Sequence, residues 1–122
     1  MIVETLGIRR EHRVCLRGIT NPIFAAEVVW QTDSPPTKAA SGRFDIIILQ
    51  VNAPADLDEI TRLAPHLESY GALWVLHPSE YAAPAQATSF AAGLVITKRC
   101  EYSVTHVGTR FSPRARVIRG TV

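Results

Sequence analysis

The fold is decided by two apolar runs and the stretch between them. The first run is Phe44-Asp45-Ile46-Ile47-Ile48-Leu49-Gln50-Val51, and the second is Gly71-Ala72-Leu73-Trp74-Val75-Leu76-His77-Pro78. Neither run alternates apolar and polar residues, which is typical of a strand that is buried on both faces. Between them, apolar residues recur at helical spacing, at Leu57, Ile60, Leu63, Ala64 and Leu67. The sequence therefore predicts a β-α-β unit in a parallel sheet, with Trp74 in the core.

Further strands are predicted on either side of this unit, and the first of them is expected to lie beside the Phe44 strand in the sheet. Residues 14–16 and 28–31 are short apolar runs, and residues 94–101 and 103–111 are longer ones. The last two are separated by a few residues at most. They are therefore expected to pair as an antiparallel hairpin, or to lie near one another with opposite directions.

The helices are predicted from their capping and breaking residues. Asn21 precedes Pro22 and is the predicted cap of a short helix over residues 22–27. Asn52 is the cap candidate for the central helix, Pro65 is expected to kink or restart that helix, and Gly71 is expected to end it. A small alanine-rich helix is predicted over residues 86–92. Residues 32–42, which contain two prolines, two serines and a glycine, are predicted to form a loop.

Length and charge limit the classes of function. The 122 residues suit one domain, predicted over residues 1–112 and followed by a basic tail over residues 113–122. The net charge of +2 is too small to indicate a nucleic-acid partner, and none is predicted. Residues 102–122 nevertheless hold four arginines and no acid. We interpret them as a solvated terminus, with a phosphate-contacting arm as the alternative.

The cysteines and the hydropathy pattern indicate a reducing compartment. Cys15 and Cys100 each fall inside a predicted strand, and two thiols in a chain of this size are not a disulfide framework. Both are expected to be free and buried, on different sides of the sheet. Residues 1–17 hold no apolar segment of a signal peptide, and no run approaches the roughly 18 apolar residues of a membrane span. A cytoplasmic protein with no membrane contact is expected.

The order of these elements resembles a known family. A hydrophobic strand, an acid-led helix, Gly71-Ala72-Leu73-Trp74-Val75, a short helix and an antiparallel pair are similar to the C-terminal half of class I S-adenosylmethionine-dependent methyltransferases. The chain resembles still more closely a bacterial family of small uncharacterised proteins with a pared-down version of that fold. Its segments Leu6-Gly7-Ile8-Arg9, Phe44-Asp45, Gly93-Leu94-Val95 and Lys98 share in this resemblance, which covers roughly residues 6–110.

The resemblance implies an α/β fold and no particular activity. The expected architecture is a truncated Rossmann-like, methyltransferase-like three-layer sandwich, with a mostly parallel sheet and an antiparallel C-terminal strand. The chain departs from the family pattern at two places. Leu76-His77-Pro78-Ser79 stands where family members carry Trp-Pro-Lys, and His106-Val107-Gly108 stands where they often carry tryptophan before a small residue and glycine. Roles tied to that lysine or tryptophan do not carry over.

Neither a cofactor nor a catalytic group is indicated. A nucleotide site on this fold needs a glycine-rich turn after the first strand and an acid after the second. The turn here is Gly18-Ile19-Thr20-Asn21-Pro22, with one glycine and a proline that removes an amide. Asp33 could replace the ribose acid, but a lone loop aspartate is more often solvated. The four histidines lack the spacing of a metal site. No cofactor, metal or catalytic residue is therefore predicted.

One candidate site remains, at the carboxyl ends of the parallel strands. Ligands of open α/β sheets gather there, and the loops at that edge contribute Asn21, Asn52, His77 and Glu80. These residues are predicted to line a shallow crevice for an anion, with His77 at its rim. In the alternative, the two asparagines are helix caps, His77 is a loop histidine, and side chains of residues 32–42 fill the gap.

Three hypotheses on function follow from the sequence. The first is a non-catalytic interaction or structural protein, which forms a homodimer or binds a protein partner through an apolar patch or a sheet edge. The second is a binding protein for a small anionic or nucleotide-like molecule at the strand ends. The third, an active methyltransferase, is disfavoured by the missing glycine-rich turn. Composition does not separate the first two.

Overall fold

The computed structural model describes residues 2–114. The strands are β1 (Val14–Arg17), β2 (Phe44–Gln50), β3 (Leu67–His77), β4 (Leu94–Glu101) and β5 (Val107–Pro113). The α-helices are α1 (Ile2–Thr5), α2 (Pro22–Gln31), α3 (Glu59–Leu63) and α4 (Ala82–Ala91). Short 3₁₀ turns flank α3 at Pro54–Asp58 and Ala64–His66, and another precedes α4 at Ser79–Tyr81. None of the described helices is long and apolar enough to cross a membrane.

The strands form one sheet in the order β1-β2-β3-β5-β4. The first three are parallel, while β5 runs antiparallel to both of its neighbours. The predicted pairing of the first strand with the Phe44 strand is confirmed, as is the antiparallel C-terminal pair. Cys15 lies on one outer strand and Cys100 on the other, so the two thiols are both free. Cys15 is buried as predicted, whereas Cys100 is only half-buried.

Helices cover both faces of the sheet and make three layers. On one face, α1 and α2 pack with Ile46, Ile48 and Trp74. On the other face, α3 and α4 pack with the alternate residues of the same strands, among them Ile47 and Leu73. Trp74 has no exposed surface, which confirms its place in the core. The truncated Rossmann-like sandwich expected from the sequence is the fold that is found.

The prediction of a strand over residues 28–31 is wrong. Helix α2 continues through them to Gln31, and its end is closed by Thr32, whose backbone amide and hydroxyl both bond to the Val28 carbonyl, at 3.1 and 2.9 Å. Phe24 and Val28, one helical turn apart, are both buried against the sheet. This packing outweighs the preference of the two valines for strands, which is under 1 kcal/mol per residue.

The central helix is shorter than predicted, and Gly71 does not end it. Pro65 does restart the backbone, as a 3₁₀ turn, and β3 then begins at Leu67. Gly71 lies inside β3, beside an irregularity in the pairing with β2. Strand β5 likewise begins at Val107 rather than Ser103, and α4 begins at Ala82 rather than Gln86.

The two outer strands of the sheet are protected in different ways. Beside β1, Thr37 of the predicted loop over residues 32–42 forms a parallel bridge with Cys15. Beside β4 no other strand lies within the described part of the chain, but an irregularity between Ile96 and Lys98 and the exposed Lys98 and Arg99 disfavour pairing with a second sheet. Beyond β5, Arg114 still packs on Phe90. The remainder of the predicted basic tail lies outside the described residues.

Candidate functional site

A hydrogen-bonded network joins the loops that follow β1 and β2. The Gln50 side chain accepts from the Thr20 amide at 3.2 Å, and its Nε2 donates to the Thr20 hydroxyl at 3.0 Å and to Asn52 Oδ1 at 3.1 Å. Gly18 lets these loops approach, since a Cβ atom on it would lie 3.1 Å from the Gln50 carbonyl oxygen. The helices that follow β1 and β2 lie on opposite faces, so this network occupies the switch point where ligands of such folds bind.

His106, which precedes β5, joins the network at the same edge of the sheet. Its Nε2 lies 2.9 Å from Asn52 Oδ1 and 3.0 Å from the Val51 carbonyl oxygen, and its Nδ1 lies 2.8 Å from the Thr105 hydroxyl. Because both partners of Nε2 are acceptors, Nε2 carries a proton and donates to them. The imidazole therefore connects the Asn52 loop to the start of β5 through hydrogen bonds.

The backbone amides expected to bind an anion at this edge already have partners. Asn21 Oδ1 accepts from the amides of Ile23 and Phe24 at 3.0 and 3.3 Å, so Asn21 caps α2 as predicted. Asn52 is not a cap. Instead, Asp56 reaches back, and its Oδ2 accepts from the amides of Asn52 and Ala53 at 2.9 and 3.0 Å. An acid in the first turn is therefore the group that satisfies those donors.

His77 is fully buried rather than at the rim of a crevice. Its Nδ1 lies 2.7 Å from the Pro78 carbonyl oxygen, and its Nε2 lies 2.8 Å from the Thr109 hydroxyl. Nδ1 must therefore donate to the carbonyl, and Nε2 of the neutral ring accepts from Thr109. Burial is the largest cause that lowers the pKa of His77, while the bond to Pro78 opposes it. A neutral ring with both nitrogens occupied is a structural group.

Glu80 lies in the exposed 3₁₀ turn before α4. Of the four sequence-predicted residues, Asn21 and Asn52 belong to the neighbouring β1 and β2 loops. His77 instead bonds to β5, and no hydrogen bond between described residues connects His77 or Glu80 to the two asparagines. A mostly apolar cavity of about 490 Å³ lies beside His77, between the start of α4, the end of β4 and the start of β5.

Gln50 and His106 belong to this network but were not among the residues predicted from the sequence. Gln50 is the polar residue near the end of an apolar run, and this position predicts only the end of a strand. His106 precedes a strand that is antiparallel to β3, so its end of that strand meets the carboxyl ends of β2 and β3 at one edge of the sheet. Once the hairpin is predicted, this topology places His106 beside Asn52.

The chemistry available at this edge is limited. Burial is the main cause that raises the pKa of both Cys15 and Cys100, so their reactive thiolate forms are disfavoured. Among residues 2–114, no three His, Cys, Asp or Glu side chains are grouped to hold a metal ion. The histidines at the strand ends are both used in internal hydrogen bonds. The hydrogen bonds at this edge connect the loops that follow β1 and β2 with the segment before β5.

Solved structures with the same fold include methyltransferases. The ribosomal protein L11 methylase of Lactobacillus delbrueckii subsp. bulgaricus superposes with a TM-score of 0.70 at 16% identity, over 93% of this chain and 76% of its own. A TehB-like SAM-dependent methyltransferase of Corynebacterium glutamicum gives 0.60 at 9% identity, over 92% and 85% of the two chains.

The CcbJ methyltransferase of Streptomyces caelestis gives a TM-score of 0.61 at 9% identity, over 89% of this chain and 92% of its own. No family model and no curated protein matches the sequence. At these identities the similarity establishes the methyltransferase-like fold of this chain and nothing about its activity.

Proposed function

We propose that this chain is a non-catalytic interaction protein that pairs with a second copy through α2. It has a methyltransferase-like fold whose own side chains lie at the strand-end switch point. The observation that supports this proposal is the exposed apolar face of α2. Trp30 is 84% exposed, Ile23 is 70% exposed and Val29 is more than half exposed. Contiguous exposed apolar surface of this kind marks interaction sites in soluble proteins.

The chemistry of this face favours an identical partner. Helix α2 holds a single charged residue, the half-buried Glu27, so the face offers no charge to a charged partner. Ile23, Ala26 and Trp30 have the spacing i, i+3, i+7 and share one side of the helix. Two copies that cross antiparallel midway between Ala26 and Glu27 would bring Ile23 of each against Trp30 of the other, which is a self-complementary contact.

The size of the face predicts a weak dimer. A tryptophan contributes on the order of 200 Å² of buried surface. Each partner of a standard stable interface contributes about 800 Å². Trp30 with Ile23 and Val29 falls short of that area, so we expect a dissociation constant in the micromolar range or weaker.

Sedimentation equilibrium tests this pairing. The wild-type chain should shift from monomer to dimer between about 10 μM and about 1 mM, and Trp30→Glu should remain monomeric over that range. Val104→Glu is the matched control, because Val104 is a fully exposed apolar residue in the loop before β5. A wild-type chain that stays monomeric throughout, or two variants that weaken the dimer equally, would contradict the proposal.

Ligand binding at Asn21, Asn52, His77 and Glu80 stays a prediction. The internal hydrogen bonds of Asn21, Asn52 and His77 weigh against it. It would be supported by density for a soaked sulfate ion at the amides of residues 20–22 or 52–56.

A further inference from the structure

We propose that the cavity beside His77 binds a free amino acid whose side chain is large and apolar. This hairpin cavity lies between the start of α4 and the β4–β5 hairpin, and its volume is about 490 Å³. Its lining includes Ala82, Arg99, Glu101 and Val107. The ammonium and carboxylate groups of the ligand would meet the two charged side chains of this lining, and its apolar part would lie in the cavity.

The hairpin cavity lies on the face of the sheet that α3 and α4 cover. Leu73 and Val75 of β3 belong to that face, and His77 follows them at the next alternate position. Val107 is the register partner of His77 on β5, so it lies on the same face. Helix α2 packs on the opposite face. Binding in the hairpin cavity therefore does not depend on pairing through α2.

Apolar surface remains accessible in the hairpin cavity. Ala82 and Val107 are half-buried, so each keeps part of its surface open to a ligand. The exposed Arg99 adds the hydrocarbon stem of its side chain. His77 and Thr109 also line the cavity, but both are buried and only close its inner end. An apolar group of the ligand therefore contacts Ala82, Val107 and the arginine stem.

The charges of the lining cancel. Among the described residues that line the cavity, Arg99 is the single positively charged side chain and Glu101 is the single acid. His77 adds no charge at neutral pH, because burial is the largest cause that lowers its pKa. A ligand with one charge of each sign and no net charge matches this lining.

The two charged side chains are close together but not paired. Arg99 and Glu101 are alternate residues of β4, so they lie on one face with their Cα atoms about 7 Å apart. Among residues 2–114, neither side chain has a hydrogen bond or an ion pair. In an amino acid, one carbon joins the ammonium and carboxylate groups, so a single molecule can reach both. Its carboxylate would accept from the guanidinium, and its ammonium would donate to Glu101.

Other classes of small molecule fit this cavity less well. An anion is attracted by Arg99 but repelled by Glu101, and the reverse holds for a cation. An uncharged apolar molecule would gain nothing from either charge. The volume falls within the roughly 300–1,000 Å³ of small-molecule sites, which are mostly apolar and have a few polar groups that converge.

Titration by nuclear magnetic resonance tests this binding. In the ¹⁵N-labelled wild-type chain at pH 7 and constant ionic strength, L-phenylalanine should shift the amide signals of residues 99–101 and 107 saturably. We expect a dissociation constant of about 1 mM or tighter. Three probes each lack one part of the ligand: 3-phenylpropionate lacks the ammonium, phenethylamine lacks the carboxylate and glycine lacks the apolar group. Each should bind at least about tenfold more weakly, a difference of about 1.4 kcal/mol.

Variants of the two charged residues assign the role of each. Arg99→Gln should remove the advantage of L-phenylalanine over phenethylamine, because neither probe then has a partner for a carboxylate. Glu101→Gln should remove its advantage over 3-phenylpropionate. Thermal melts of both variants should coincide with that of the wild type, because both residues are exposed.

Lys98→Gln is the matched control. Lys98 is the neighbouring basic residue of β4, but its side chain lies on the opposite face, where Nζ donates to the Thr5 carbonyl oxygen at 3.4 Å. This variant should bind L-phenylalanine as the wild type does. The proposal would be overturned by the absence of saturable shifts at residues 99–101 and 107, by a single-charge probe that binds as tightly as L-phenylalanine, or by equal losses in Arg99→Gln and Lys98→Gln.

Discussion

His77 has no exposed surface, and we expect its burial to make the stability of the protein sensitive to acid. At the residue scale, His77 is held neutral because burial lowers its pKa below the ordinary value of 6.5. The unfolded chain has no such constraint and takes up a proton as the pH falls through 6.5. Below that pH the unfolded state therefore binds more protons than the folded state, and acid favours unfolding.

We predict that His77→Gln flattens this dependence. In the wild-type protein, the free energy of unfolding should fall as the pH drops from 6.5 towards the folded pKa, and this contribution should level off below it. One proton accounts for a slope of at most about 1.4 kcal/mol per pH unit. Chemical denaturation at a series of pH values should show a smaller slope for the variant, even if it is less stable at neutral pH.

The control for this prediction keeps the imidazole. Thr109→Val removes the hydroxyl beside Nε2 but leaves the ring buried, so the slope should persist. If wild type and His77→Gln have the same slope between pH 5 and 7, His77 is not the group that resists protonation.

At the scale of an element, β3 tolerates no side chain at Gly71. A Cβ atom there would lie 2.9 Å from the Asp45 carbonyl oxygen, 3.0 Å from that of Phe44 and 3.1 Å from that of Glu68. All three contacts are backbone atoms, which cannot rotate out of the way. The glycine thus permits the irregular pairing that lets β3 begin at Leu67 and still align with β2 from Ala72 onwards.

We expect Gly71→Ala to destabilise the protein by about 1–3 kcal/mol, the usual cost of overpacking. Gly108→Ala is the comparison within the same sheet. The atom nearest to a Cβ atom on Gly108 is the Cys100 sulfur at 3.0 Å, and the next two also belong to side chains. Side chains can adjust, so this change should cost less. Urea denaturation would contradict the argument if the order of the two variants were reversed.

For the whole molecule, the sheet ends at β1, and this bears on cofactor binding. No strand of the described chain lies outside β1, where Thr37 forms one isolated bridge. Within residues 2–114, the segment from Gly18 to Phe44 holds one helix and no strand, so a nucleotide-binding half with two full helix–strand repeats does not fit there. At the neighbouring switch point, Gln50 bonds to Thr20 and Asn52.

We therefore predict that S-adenosylmethionine does not bind with useful affinity. Isothermal titration calorimetry at millimolar cofactor should give no saturable heat, in the wild-type chain and in the monomeric Trp30→Glu variant alike. A dissociation constant of about 10 μM or tighter, roughly −7 kcal/mol, would contradict both this prediction and the non-catalytic part of the proposed function.

The central β-α-β unit, its parallel pairing with β1 and the antiparallel pair at the C-terminus could all be predicted from the sequence. These features follow from local causes: continuous apolar runs, the length of each connection and the position of Pro65 and Asn21. The continuous apolar run around Trp74 likewise predicts that Trp74 is a core residue. For all of these features, patterns within short stretches of the chain are enough to predict the structure.

The helical conformation of residues 28–31 and the surroundings of Gly71, His77 and His106 depend on contacts between elements and could not be predicted from the sequence. The valines of α2 suit a strand, and they are helical because Phe24 and Val28 must reach the same face of the sheet. His77 looked like a rim residue because the end of a strand is usually exposed, but β5 pairs alongside it and places Thr109 against the ring. Such contacts join residues distant in sequence, and their energies exceed the local preferences that a sequence displays.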